Sequence, residues 1–77
     1  MIQTGDQVLV SAHGQTDVPA IVSLASHNGR SLMLKFPGGF FRLAGGAYVG
    51  YMPVMLMDDG QWIEIINQRE IQIRAKA

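Results

Sequence analysis

The sequence predicts an all-β fold: a small five- to six-stranded barrel of the SH3-like kind, or a strongly bent antiparallel sheet. Three observations carry the prediction. Apolar residues alternate with polar ones over short runs bounded by turn residues. Asn28-Gly29 stands between two such runs, the strongest short-range hairpin signal. Five glycines between Gly38 and Gly50 make a long helix there costly. With 77 residues, residues 1–77 have room for a single domain. Closure into a barrel is favoured because an open sheet of this size leaves long edges exposed.

The first strand is expected over Gln7 to Ala12, with Val8, Val10 and Ala12 on one face. The second runs from Val18 to Ser26, with Val18, Ala20, Val22 and Leu24 sharing a face and Pro19 marking an edge position. Asn28-Gly29 then closes a hairpin through a type I′ turn, which needs positive φ at both residues. The third strand, Ser31 to Phe36, points Leu32, Leu34 and Phe36 inward and Met33 and Lys35 outward. Pro37-Gly38-Gly39 ends it, and a short helical turn is expected at residues 40–44. Val54 to Met57 and Gln61 to Ile66 form a second hairpin across Asp58-Asp59-Gly60. Trp62, Glu64 and Ile66 lie on one face of its second strand, with Ile63 and Ile65 on the other. A last strand, Glu70 to Arg74, places Ile71 and Ile73 inward.

Lys plus Arg and Asp plus Glu balance at six each, 16% of residues are charged and 48% are apolar. Ordinary soluble domains carry roughly 25% charged residues, so part of this surface is expected to be covered by a partner. The neutral balance removes the long-range attraction that drives nonspecific binding to phosphates, and nucleic acid is disfavoured. There is no cysteine, hence no disulfide and no thiolate metal site. A chain this short has a thin core, and oligomerisation is the remaining common route to stability. The N-terminus lacks the basic start and apolar core of a signal peptide. The longest uncharged stretch is too short and too glycine-rich to span a bilayer. A cytoplasmic address and no membrane association are expected.

That stretch, Leu43 to Met57, is fifteen uncharged residues long, and with Phe40 and Phe41 it gathers two phenylalanines, two tyrosines and three methionines. Met55 and Met57 alternate with Val54 and Leu56, so both faces of this strand are apolar, the mark of a strand covered on both sides. In a single-layer barrel the second cover is most simply another subunit, and methionine suits adaptable contact surfaces. Arg42 beside aromatics fits an interface hot spot. The expected contact surface is therefore Phe40, Phe41, Arg42, Tyr48, Tyr51, Met55 and Met57, serving a homo-oligomer or a protein partner in a binding or scaffolding role.

Catalytic constellations are missing. His13 and His27 fall in turns with no second ligand at a metal-site spacing, and Asp58-Asp59 before Gly60 is ordinary turn chemistry. No metal or cofactor is expected. Two alternatives belong to other classes. One is an enzyme whose site forms between subunits, with Gln72, Arg74 and Glu64 lining a shared cleft. The other is a single-stranded nucleic-acid binder using Tyr48, Tyr51 and Arg42, whose binding weakens steeply with salt.

Three resemblances attach to particular residues. Ser26-His27-Asn28-Gly29 followed by the strand Leu32 to Phe36 resembles half of the dinucleotide motif of PilZ domains, but the upstream arginine pair is absent. Gly5-Asp6-Gln7-Val8 and Ile71-Gln72-Ile73 faintly resemble segments of the plasmid-borne dihydrofolate reductases, without their tryptophan-rich strand. VPAIVSLASHNGRSLMLKF and YVGYMPVMLMDDGQW, within residues 18–66, look like small β proteins encoded by mobile gene cassettes of bacterial integrons. That last resemblance implies a small β fold and carries no activity.

Overall fold

A computed structural model describes residues 2–76. In chain order the strands are β1 Gln7–Ala12, β2 Gln15–Ala25, β3 Ser31–Lys35, β4 Phe41–Arg42, β5 Tyr48–Val49, β6 Tyr51–Leu56, β7 Trp62–Glu64 and β8 Arg69–Ala75, with no helix among the described residues. Six of them close an antiparallel barrel in the order β1-β2-β3-β6-β7-β8, and β8 returns to pair with β1. Closure leaves the barrel with no free edge. The remaining pair, β4 and β5, forms a small sheet of its own within the connection from β3 to β6.

Alternation places most of the core: Val8, Val10, Ala20, Val22, Leu32, Leu34, Phe36 and Ile71, expected inward, are buried, Ala12, Val18 and Ile73 are half-buried against them, and Met52 and Val54 of β6 complete the interior. The chain exposes 4715 Å², close to the roughly 4600 Å² expected of a folded monomer of its 8.4 kDa mass. The unfolded chain would expose about 12,000 Å², so folding hides about 60%, the low fraction of a small domain.

The type I′ turn lies elsewhere than expected. His13 and Gly14, between the paired residues Ala12 and Gln15, have φ of 55° and 81°, the two positive values that type I′ demands. At the expected site only Gly29 is positive, at 71°. There Asn28 acts through its side chain, its Oδ1 accepting from the Arg30 N–H at 3.0 Å and the Ser26 hydroxyl at 2.8 Å. The loop is closed by the Gly29 N–H donating to the Ser26 carbonyl and the Ser26 N–H to the Ser31 carbonyl. An asparagine that satisfies the turn through its carboxamide has no need of a left-handed backbone.

The expected helical turn at residues 40–44 is replaced by strand β4. Phe41 is fully buried, its ring stacked on Phe36 with centroids 5.0 Å apart, and Leu43 is buried beside them in the core cluster. Burying alternate residues 41 and 43 favours extended backbone over helix. The edge of β4 is occupied by a side chain: Gln15 donates from Nε2 to the Arg42 carbonyl at 2.8 Å and accepts at Oε1 from the Arg42 N–H at 3.0 Å. Its carboxamide stands in for a neighbouring strand.

Pro53 sits inside the central strand β6 without disrupting it. Its carbonyl accepts from the Ile65 N–H at 3.0 Å, and in an antiparallel ladder a residue's N and O address the same neighbour. The missing N–H therefore faces Ile65, just past the end of β7 at Glu64, and the ladder to β3 is untouched.

Candidate functional site

β6 is apolar on both faces. Met52 and Val54 are buried inward, so Tyr51, Pro53 and Met55 point out of the barrel. The register extends this outer surface across neighbouring strands: Tyr51 opposes Lys35, Pro53 opposes Met33, and Met55 opposes Ser31 on β3 and Ile63 on β7. Leu24 on β2 opposes Met33, and Ile65 is tied to Pro53 by its N–H. An apolar groove of about 340 Å³ runs over this face, lined among others by Leu24, Met33, Pro53, Met55 and Ile65. Leu24 is 66% exposed, and Met55 and Ile65 each 41%.

Leu24 reaches this surface through a β-bulge. Val22 pairs with Leu34 but Leu24 with Met33, one extra residue on β2, and the extra residue reverses the alternation. The sequence reading places Leu24 inward with Val18, Ala20 and Val22; the structure turns it outward. Met33, Ile63 and Ile65 are also absent from the contact surface expected from the sequence, although their outward direction follows from alternation.

The seven residues expected to form the contact surface divide. Tyr51 and Met55 lie on the outer face of β6, and Met57 is exposed just beyond its end. Phe40 and Tyr48 are 68% and 67% exposed on the β4–β5 insert. Phe41 is a core residue, because alternation puts it opposite in direction to Phe40, and it offers nothing to a partner. Arg42 is half-buried, and its guanidinium donates to the His13 carbonyl at 2.7 Å, so it braces the β1–β2 turn.

The charges around the groove are few. At one end Arg30 pairs with Asp58 at 2.7 Å while also donating to the Leu56 carbonyl, and Asp58 remains 98% exposed. At the other end Lys35 is exposed and in no ion pair among the described residues. Far from the groove, the Arg74 guanidinium donates to both oxygens of Asp17 at 3.1 and 2.9 Å and holds that carboxyl below its ordinary range.

Glu64 points into the barrel and is fully buried, both carboxylate oxygens accepting from the Asn67 N–H at 3.1 and 3.0 Å. It closes the loop between β7 and β8. Gln72 and Arg74 are exposed on β8, flanking the half-buried Ile73 and facing away from the core. The three polar residues that the sequence brings forward for a cleft thus point to opposite sides of the barrel wall. Among the described residues no group of three His, Cys, Asp or Glu side chains converges to hold a metal, and no helix is long and apolar enough to cross a membrane.

No protein-family model, curated protein or solved structure matches the chain.

Proposed function

We propose that this protein is a small cytoplasmic binding or scaffolding module that self-associates through the apolar outer face of its barrel. The observation that carries the proposal is β6, whose inward Met52 and Val54 build the core while its outward Tyr51, Pro53 and Met55 continue into a groove shared with β2 and β3. A monomer has no use for an apolar second face on a central strand. Contiguous apolar patches of this kind mark contact sites, and the polar surroundings of the groove match the rim of an interface.

The same geometry gives less support to the alternatives. A shared catalytic cleft needs convergent polar groups, whereas Glu64 lies inside the wall and Gln72 and Arg74 outside it. Stacking of single-stranded bases needs a free cation beside the aromatics, whereas the Arg42 guanidinium is bonded to the His13 carbonyl.

The test is the solution mass over a concentration series by light scattering, for wild type and for a Met33→Glu, Met55→Glu variant. The expected result is a wild-type mass that rises above 8.4 kDa with concentration, and a variant that stays at the monomer mass with an unchanged circular dichroism spectrum. A wild type that remains monomeric into the millimolar range overturns the self-association reading.

A further inference from the structure

We propose that the groove on the outer face binds a small neutral aromatic molecule, of two fused rings with one hydrogen-bonding group, and that this ligand competes with self-association for the same surface. Binding stands apart from the self-association reading, and only the competition rests on it.

Size is the first argument. The outward side chains of the groove stand on two levels: Leu24, Met33, Pro53 and Ile65 on one, Ser31 and Met55 two residues further along. Four strands about 4.8 Å apart and two residues of about 3.3 Å each give roughly 14 by 7 Å between Cα positions. That is on the order of 100 Å², against the roughly 800 Å² that each partner buries in a standard protein interface. The groove's volume of about 340 Å³ falls instead in the range of small-molecule sites. An apolar cavity of about 150 Å³ holds one benzene ring, so this groove has room for two.

The depression exists because a small residue lies among large ones. Ser31 opposes Met55 and stands two residues from Met33 on β3. Its short side chain leaves open the space that the two methionines and Leu24 wall in.

The lining sets the chemistry. Among the described residues none that lines the groove is charged, so a charged ligand would lose water there without gaining a counter-ion. Met33 lies opposite Pro53, and Met55 follows it on the same face of β6. Thioethers make favourable contacts with the edges of aromatic rings at about 5 Å, and the proline ring between them offers a flat face. The Ser26 hydroxyl is committed, donating to Asn28 Oδ1 and accepting from the Ser31 N–H. The Ser31 hydroxyl makes no hydrogen bond among the described residues, and it is the group left to meet one polar atom of a ligand.

The test is a titration of about 50 μM protein with 2-naphthol at neutral pH, followed by backbone amide spectra. Saturable shifts clustered at Leu24, Ser31, Met33, Met55 and Ile65 are expected. A ligand of about eleven non-hydrogen atoms should bind with a dissociation constant of about 0.1 to 1 mM. Ser31→Leu, which fills the depression and should melt like wild type, is expected to weaken binding at least about tenfold, and Ser31→Ala, which removes the hydroxyl alone, about threefold. Both 2-naphthoate and 1-octanol are expected to bind more weakly than 2-naphthol, by at least about fivefold. Shifts that never saturate, or binding that Ser31→Leu leaves unchanged, would overturn the site. Tighter binding of 2-naphthoate or 1-octanol would overturn the ligand class. Light scattering at about 1 mM protein reads the competition: the wild-type mass should fall toward 8.4 kDa as 2-naphthol is added, and a mass that bound ligand does not lower overturns it. If wild type is monomeric throughout and 2-naphthol binds, the site stands and the self-association reading falls. If wild type associates and 2-naphthol does not bind, the site falls and self-association stands.

Discussion

Replacing each of the adjacent phenylalanines separately gives opposite expectations. Phe41 is fully buried and stacked on Phe36 at 5.0 Å with an interplanar angle of 23°, whereas Phe40 is 68% exposed. Truncating a buried phenylalanine to alanine costs about 3 to 5 kcal/mol, and within that total the lost ring pair contributes about 1 kcal/mol. A domain of this length has about 4 to 12 kcal/mol of stability in all. Phe41→Ala should therefore lower stability by about 4 kcal/mol and the melting temperature by about 20 °C, while Phe40→Ala stays within about 0.5 kcal/mol of wild type. Urea unfolding followed by tryptophan fluorescence reads both, since Trp62 packs against the core. Similar costs for the two variants, or a Phe41→Ala cost below about 1 kcal/mol, would refute strand β4 and the insert's place in the core.

Other consequences follow from individual contacts. Asp17→Asn should flatten the acid side of the stability curve. The Arg74 hydrogen bonds hold the Asp17 carboxyl below its ordinary 3.8, so the stability it contributes is complete above that value and is lost as pH falls through the lower folded value; urea midpoints between pH 2 and 5 measure it. Glu64→Ala should cost about 2 to 3 kcal/mol by leaving the Asn67 N–H without its acceptor and opening a cavity, with faster hydrogen exchange at Asn67 as its specific mark. Gly14→Ala should cost about 1 to 2 kcal/mol in thermal melts, because its φ of 81° is a left-handed conformation that a β-carbon strains, while the space beside it is sufficient, the added carbon meeting the Arg42 guanidinium at an ordinary contact distance of 3.5 Å. His13→Asn, which tolerates the left-handed backbone equally, should be near neutral in the same thermal melts.

Much of the barrel is legible in the sequence because alternation depends on local residue pattern alone. β1 and β3 fall within a residue of the expected bounds, and the inward residues Leu32, Leu34 and Ile71 follow directly from period two. What escapes the pattern is where geometry departs from period two or is decided at a distance. The bulge between Val22 and Leu24 reverses one leucine and converts a core assignment into a groove wall. The type I′ turn goes to His13-Gly14, whereas Asn28 is held by bonds to Ser26 and Arg30. The direction of Phe41 is set by Phe36 and by the Gln15 side chain bound to the neighbouring Arg42 backbone. Aromatic density singles out a segment whose Tyr51 and Met55 face outward, but density alone does not separate Phe41 in the core from Phe40 on the surface.

The measurement that addresses the self-association surface most directly is a dilution series of backbone amide spectra by nuclear magnetic resonance, from about 1 mM down to 20 μM. The account predicts shifts that change with concentration along one binding curve and cluster at Leu24, Met33, Met55, Ile63 and Ile65, with residues on the far wall such as Gln72 unmoved. Spectra that do not change with concentration, or changes confined to Phe40 and Tyr48 on the insert, would contradict it.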